Sequence, residues 1–127
     1  MFTISKNGII TVNRGDTFSF TVSINVGTSI DNIEYNWPDE EHATLCFALM
    51  EPNQRWEDAI LKKAYHKEDL VEDEETKIKR IEVKFKVEDT EYLLPGTYYY
   101  AIKLDRYVDN EETVDTIIPK TKFFIID

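Results

Sequence analysis

Thr17–Val26 reads TFSFTVSINV, in which Phe18, Phe20, Val22, Ile24 and Val26 alternate with Thr17, Thr21, Ser23 and Asn25. Successive Cβ atoms of a pleated strand point to opposite faces. A period of two therefore gathers the apolar side chains on one side, whereas a helix would scatter them around its axis. The stretch is expected to be a strand with one buried face. The same period returns in Ile81–Val87 (IEVKFKV) and Tyr98–Leu104 (YYYAIKL), so a β pattern organises the chain.

Working outward, Lys6-Asn7-Gly8 separates Phe2–Ser5 from Ile9–Val12, and an Asn-Gly step favours the positive φ angles of a tight hairpin turn. Asn13-Arg14-Gly15-Asp16 is a second turn, and 27–43 is a long polar loop containing Trp37-Pro38 and the acidic run Asp39-Glu40-Glu41. Thr44–Met50 (TLCFALM) is apolar on both faces, as expected of a strand central to a sandwich or covered by a neighbouring segment. Trp56–Tyr65 fits either a helical stripe of Trp56, Ile60 and Ala64 or a strand with a bulge, and its β neighbours favour the strand. His66–Lys77 is expected as an acidic turn and Asp89–Leu94 as one helical turn. Pro95-Gly96 then redirects the chain into Thr97–Asp105. An acidic turn at Asp109–Glu112 and two strands, Thr113–Ile118 and Lys122–Ile126, complete the reading. About eight or nine strands joined by turn signals imply an all-β fold, an antiparallel β-sandwich, in one domain spanning residues 1–127.

The chain has 127 residues, enough for one core that buries ~65–70 % of the extended-chain surface. Its 42 % apolar and 31 % charged residues are the balance of a soluble globular protein. No apolar run approaches the roughly 20 residues of a spanning helix, and Met1–Val12 has neither the cationic nor the long apolar part of a signal peptide. The chain is thus expected to begin at Met1 and to act without a membrane. A net charge of −10 repels phosphate backbones, which disfavours nucleic acid and favours a protein partner.

Residues that could carry chemistry do not assemble into a known pattern. Zinc needs about four convergent ligands, and His42 and His66 lie apart in polar loops, so no metal is expected. The runs Asp39–Glu41 and Glu72–Glu75 lack the alternating ligands and glycine turn of a calcium loop. The single cysteine, Cys46, sits in an apolar run and is expected to pack as a small buried hydrophobe. There is no Gly-x-Ser-x-Gly elbow, and the four glycines are isolated, so neither a nucleophile nor a phosphate cradle is visible. The chain reads as a non-enzyme without a cofactor. Arg14-Gly15-Asp16 spells an adhesion tripeptide, but glycine and aspartate are ordinary turn residues. Alternation places Tyr99 on the face opposite Tyr98 and Tyr100, and Tyr35 and Trp37 fall in the long loop. These three aromatics are the candidate protein-interface residues.

Ile10–Ser19 (ITVNRGDTFS), Phe47–Gln54 (FALMEPNQ), Asp89–Leu104 (DTEYLLPGTYYYAIKL) and Thr116–Ile125 (TIIPKTKFFI) together resemble small structural proteins of tailed bacteriophages. The similarity is to the immunoglobulin-like N-terminal domain of baseplate upper proteins and to head-fibre or decoration modules. Its most distinctive part, Leu94–Tyr100, is similar to the tyrosine corner of immunoglobulin folds. The resemblance implies an immunoglobulin-like sandwich in the virion, made in the bacterial cytoplasm, with no cofactor. Its expected partners are phage capsid, tail or fibre proteins, and a homo-oligomer is also compatible. The chain departs from the baseplate pattern by ending at Asp127, directly after a strand, so the expectation is either a free-standing accessory protein or a fibre that belongs to another chain. A second reading is a bacterial adhesion or carbohydrate-binding sandwich, with Tyr35, Trp37 and Trp56 as a stacking platform.

Overall fold

A computed structural model describes residues 2–23, 43–72, 74–75, 79–108 and 111–127. Its strands, in chain order, are β1 (Phe2–Ile4), β2 (Ile10–Asn13), β3 (Phe18–Ser23), β4 (Thr44–Met50), β5 (Leu61–Tyr65), β6 (Val71–Glu72), β7 (Lys79–Phe85), β8 (Gly96–Val108) and β9 (Glu111–Ile126). One short helix, α1 (Val87–Thr90), and two 3-10 turns, Trp56–Asp58 and Lys67–Asp69, complete the described elements. The strands form a six-stranded sheet in the order β1-β2-β9-β8-β4-β5 and a three-stranded sheet in the order β3-β7-β6.

The chain is thus an all-β sandwich. Its β3-β7-β6 and β9-β8-β4-β5 orders reproduce the B-E-D and G-F-C-C′ sheets of an immunoglobulin variable-type domain. One pair departs from the expected antiparallel pattern, because β2 runs parallel to β9 from Ile10 opposite Phe123 to Asn13 opposite Ile126. Parallel neighbours require a long crossover, and here the crossover is nearly the whole chain, since the pair joins its first and last parts.

The alternation in β3 is realised, with Val22 buried, Phe18 and Phe20 half-buried, and Thr17, Ser19 and Thr21 exposed. In β8, Tyr98, Tyr100, Ile102 and Leu104 all point inward. Antibody domains pack a tryptophan on strand C against a disulfide between strands B and F. The corresponding strands here bring together Phe20, Phe47 and Tyr100, with ring centroids 5.7–6.3 Å apart. The Tyr100 hydroxyl donates to the Gly8 carbonyl, so the phenol that enters the core is satisfied by the first hairpin. That hairpin turns as expected, with Gly8 at φ +82°.

The corner before β8 is also as expected. Tyr98 donates its hydroxyl to the Leu94 carbonyl at 2.6 Å, as a tyrosine corner does. Tyr98→Phe removes one hydrogen bond while keeping the buried ring, and should cost about 1 kcal/mol, or about 3–6 °C in Tm. Calorimetry that finds an unchanged Tm would remove this bond from the account.

Several boundaries differ from the sequence reading. β7 ends at Phe85 rather than Val87, and the helical turn comes earlier, at Val87–Thr90, because the Asp89 carboxylate caps it by accepting from the Lys86 amide at 2.8 Å. Trp56–Tyr65 divides into the 3-10 turn Trp56–Asp58 and the strand Leu61–Tyr65. The acidic stretch from His66 holds the 3-10 turn Lys67–Asp69 and the two-residue strand Val71–Glu72. The two C-terminal strands are one. Tyr100 pairs with Thr121 and Ile102 with Ile118, so β9 carries an extra residue, and Pro119 sits in the bulge, where its missing N–H costs no ladder bond. Glu111 and Glu112, expected in a turn, belong to this strand, while residues 109–110 lie outside the described residues.

Candidate functional site

Two exterior regions are set up by these elements: the end of the sandwich where β7 passes to β8, and the outer face of the six-stranded sheet. At the sandwich end, α1 and the turn after it lie beside the turn after β2. The Gly15 amide, in a residue with φ +79°, donates to the Thr90 hydroxyl at 2.8 Å, and Thr90 is fully buried. Leu93 packs against the core, while its neighbours Tyr92 and Leu94 stand out at 86 % and 76 % exposed, the highest values among the large apolar side chains described. Val87 is also exposed. Exposed leucines are ordinary one at a time, but an exposed pair on a turn pinned by Tyr98 and Thr90 is a preformed apolar projection. Carboxylates border it. Glu91 raises the Tyr92 phenol pKa, first by hydrogen bonding and then by its charge.

The adhesion-like tripeptide lies at this same end as an ordinary turn. Asp16 donates its amide to the Asn13 carbonyl, and the Arg14 guanidinium is held by the Asp127 carboxylate at 2.8 Å.

On the outer sheet face, Tyr99 lies opposite Met50 on one side and Lys122 on the other, outward as expected and half-buried. Trp56 and Ala59 cover Ala48, Met50 and Ala101, which explains why β4 is apolar on both faces. The Lys103 ammonium lies 4.7 Å from the centre of the Trp56 ring. A cation therefore lies over the indole while its packing on Ala48, Met50 and Ala101 takes up further ring surface, which leaves less of it for stacking on a sugar. Tyr35, Trp37 and His42 lie outside the described residues. His66 is exposed, and its amide donates to the Asp69 carboxylate at 2.9 Å.

Cys46 is half-buried on this outer face rather than in the core, beside Ala64 and Lys103. Its thiol pKa is raised, chiefly by burial and then by Asp105, with Lys62 acting the other way. A thiol shifted upward holds less thiolate at pH 8 than a free cysteine. Iodoacetamide should accordingly alkylate native Cys46 more slowly than the urea-unfolded chain, and the gap should narrow as pH rises. Equal rates at pH 8 would contradict this.

Among the described residues no three His, Cys, Asp or Glu side chains gather as a metal ion would need, and no described helix is long and apolar enough to cross a membrane. What the fold and its exterior define is a small β-sandwich with an apolar projection at one end and an aromatic, lysine-bearing sheet face. No family model matches the chain, and no curated protein or solved structure is significantly similar to it.

Proposed function

We propose that the chain is a non-enzymatic structural or accessory protein of a phage virion, acting by protein contacts at the head, a head fibre or the baseplate. The supporting observation is spatial. The segments that resemble phage structural proteins contribute β2, β9, β8 and β4, four consecutive strands of one sheet. They also supply the 13–16 turn and the 89–95 corner, which meet through the Gly15–Thr90 bond. A similarity scattered along the sequence becomes one continuous surface, as expected of a module that presents a face to a partner. Tyr99 lies on that surface. Tyr35 and Trp37, outside the described residues, are further proposed anchors.

The test is direct binding of the immobilised chain to purified capsid, portal, tail-tip and fibre subunits encoded beside its gene, with an oligosaccharide array in parallel. Binding to at least one virion subunit and to no glycan is the expected result. Micromolar binding to glycans, with all virion subunits ignored, would replace this reading with the carbohydrate-binding one.

A further inference from the structure

The chain carries strong negative charge overall, yet its positive charge is unevenly placed. On the outer face of the six-stranded sheet, the Lys62 ammonium donates to the Glu57 carbonyl at 3.2 Å and the Lys120 ammonium to the Gln54 carbonyl at 2.9 Å. Lys103 lies over the Trp56 ring, and Lys122 is the register partner of Tyr99. The first three contact neutral groups, a carbonyl or a ring, and Asp105, two positions along β8 from Lys103 and beside Cys46, is a carboxylate on the same face. At the sandwich end Arg14 and Lys63 are paired with Asp127 and Asp89, and Lys86 is exposed at the start of α1. There the exposed Tyr92 and Leu94 follow directly on Glu88 and Glu91. An exposed apolar projection with an acidic border is complementary to an aromatic face with a basic border.

We infer that the acidic, apolar end of one copy docks on the basic, aromatic sheet face of a second copy, so that the chain associates head to tail. This does not rest on the virion reading. The two patches are different surfaces of the same molecule, so the contact is heterologous and leaves each copy with one patch to offer, which builds rings or open arrays rather than a closed symmetric pair. At about 0.1 M salt the Debye length of ~10 Å screens the mutual repulsion of the net charges while preserving attraction between groups in contact.

Charge-exchanged variants test the inference by sedimentation velocity at about 0.1 M salt and protein concentrations up to ~0.1 mM, a range suited to a weak contact. Wild type should sediment faster as concentration rises. Glu88→Lys/Glu91→Lys and Lys120→Glu/Lys122→Glu should each remain monomeric, because each presents like charges to itself. Their equimolar mixture should associate in alternation, since the basic end of the first variant meets the acidic face of the second and the acidic end of the second meets the basic face of the first. Tyr92→Ser/Leu94→Ser should also remain monomeric. These substitutions are at exposed positions except Glu91, which is half-buried, and thermal melts matching wild type will show that the fold is kept. A wild type that stays monomeric, variants that associate as wild type does, or a mixture that stays monomeric would each overturn the inference.

Discussion

Phe47→Ala should be the most damaging single substitution in the chain. The ring is 1 % exposed and lies within 5.4–6.0 Å, centre to centre, of Phe20, Phe85 and Tyr100. It thus joins both sheets at the place where an antibody domain has its tryptophan and disulfide. Removing a buried phenylalanine costs ~3–5 kcal/mol, from the lost transfer term and from the cavity that remains. Against a total of ~5–15 kcal/mol, the variant should be largely unfolded or have a urea midpoint about 1.5–3 M lower. Phe20→Ala should lie between this and wild type, because Phe20 is only half-buried. Thr21→Ala, on the exposed side of β3, should fall within ~0.5 kcal/mol of wild type. Equal urea midpoints for Phe47→Ala and Thr21→Ala would refute the assignment of the core.

Asp89→Ala should have the next largest effect. Lys63 points inward from β5, and its ammonium meets the Asp89 carboxylate at 2.9 Å with the two side chains 18 % and 12 % exposed. The same ammonium lies 5.3 Å from the centre of the Phe85 ring, and the same carboxylate caps α1 through the Lys86 amide. Deleting the carboxylate leaves a poorly solvated ammonium against the core and an unsatisfied amide. Breaking a fully buried pair costs ~3–5 kcal/mol, and the residual exposure here brings the expectation to about 2–4 kcal/mol. Replacing the lysine as well should recover part of the loss, because an apolar side chain tolerates that position better than a stranded charge. Urea denaturation of Asp89→Ala with and without Lys63→Met measures this. A cost below ~0.5 kcal/mol for the single variant, or no recovery in the double, would show that the pair does not join β5 to the α1 corner.

The parts of the fold that alternation governs were legible from the residues. Phe18 to Val22 and Tyr98 to Leu104 each declare their inward face, and Lys6-Asn7-Gly8 and Pro95-Gly96 declare their turns. What could not be read locally was whatever a neighbouring strand decides. Pro119 looks like the end of a strand, yet β9 continues through it because the register with β8 provides a bulge. The apolar outer positions of β4 do signal a cover, but only the fold shows that the Trp56 segment supplies it. Parallel pairing of β2 with β9 joins segments more than a hundred positions apart, beyond the reach of any periodicity. At the surface, alternation did place Tyr99 outward. Within the Asp89–Leu94 turn nothing in the sequence separates Tyr92 and Leu94 from Leu93, and only Leu93 packs on the core. The complementary end and face of the molecule emerge only when turns and strands distant in sequence are brought together.

Where the protein resides tests a structural role in the virion most directly. If the gene belongs to a phage or prophage, as proposed, its particles, purified by density gradient and analysed by quantitative mass spectrometry, are predicted to contain the chain at a fixed ratio to a major structural subunit. The ratio should be unchanged by repeated banding. Particles that lack the chain, while it accumulates free in the same lysate, would contradict a structural role in the virion.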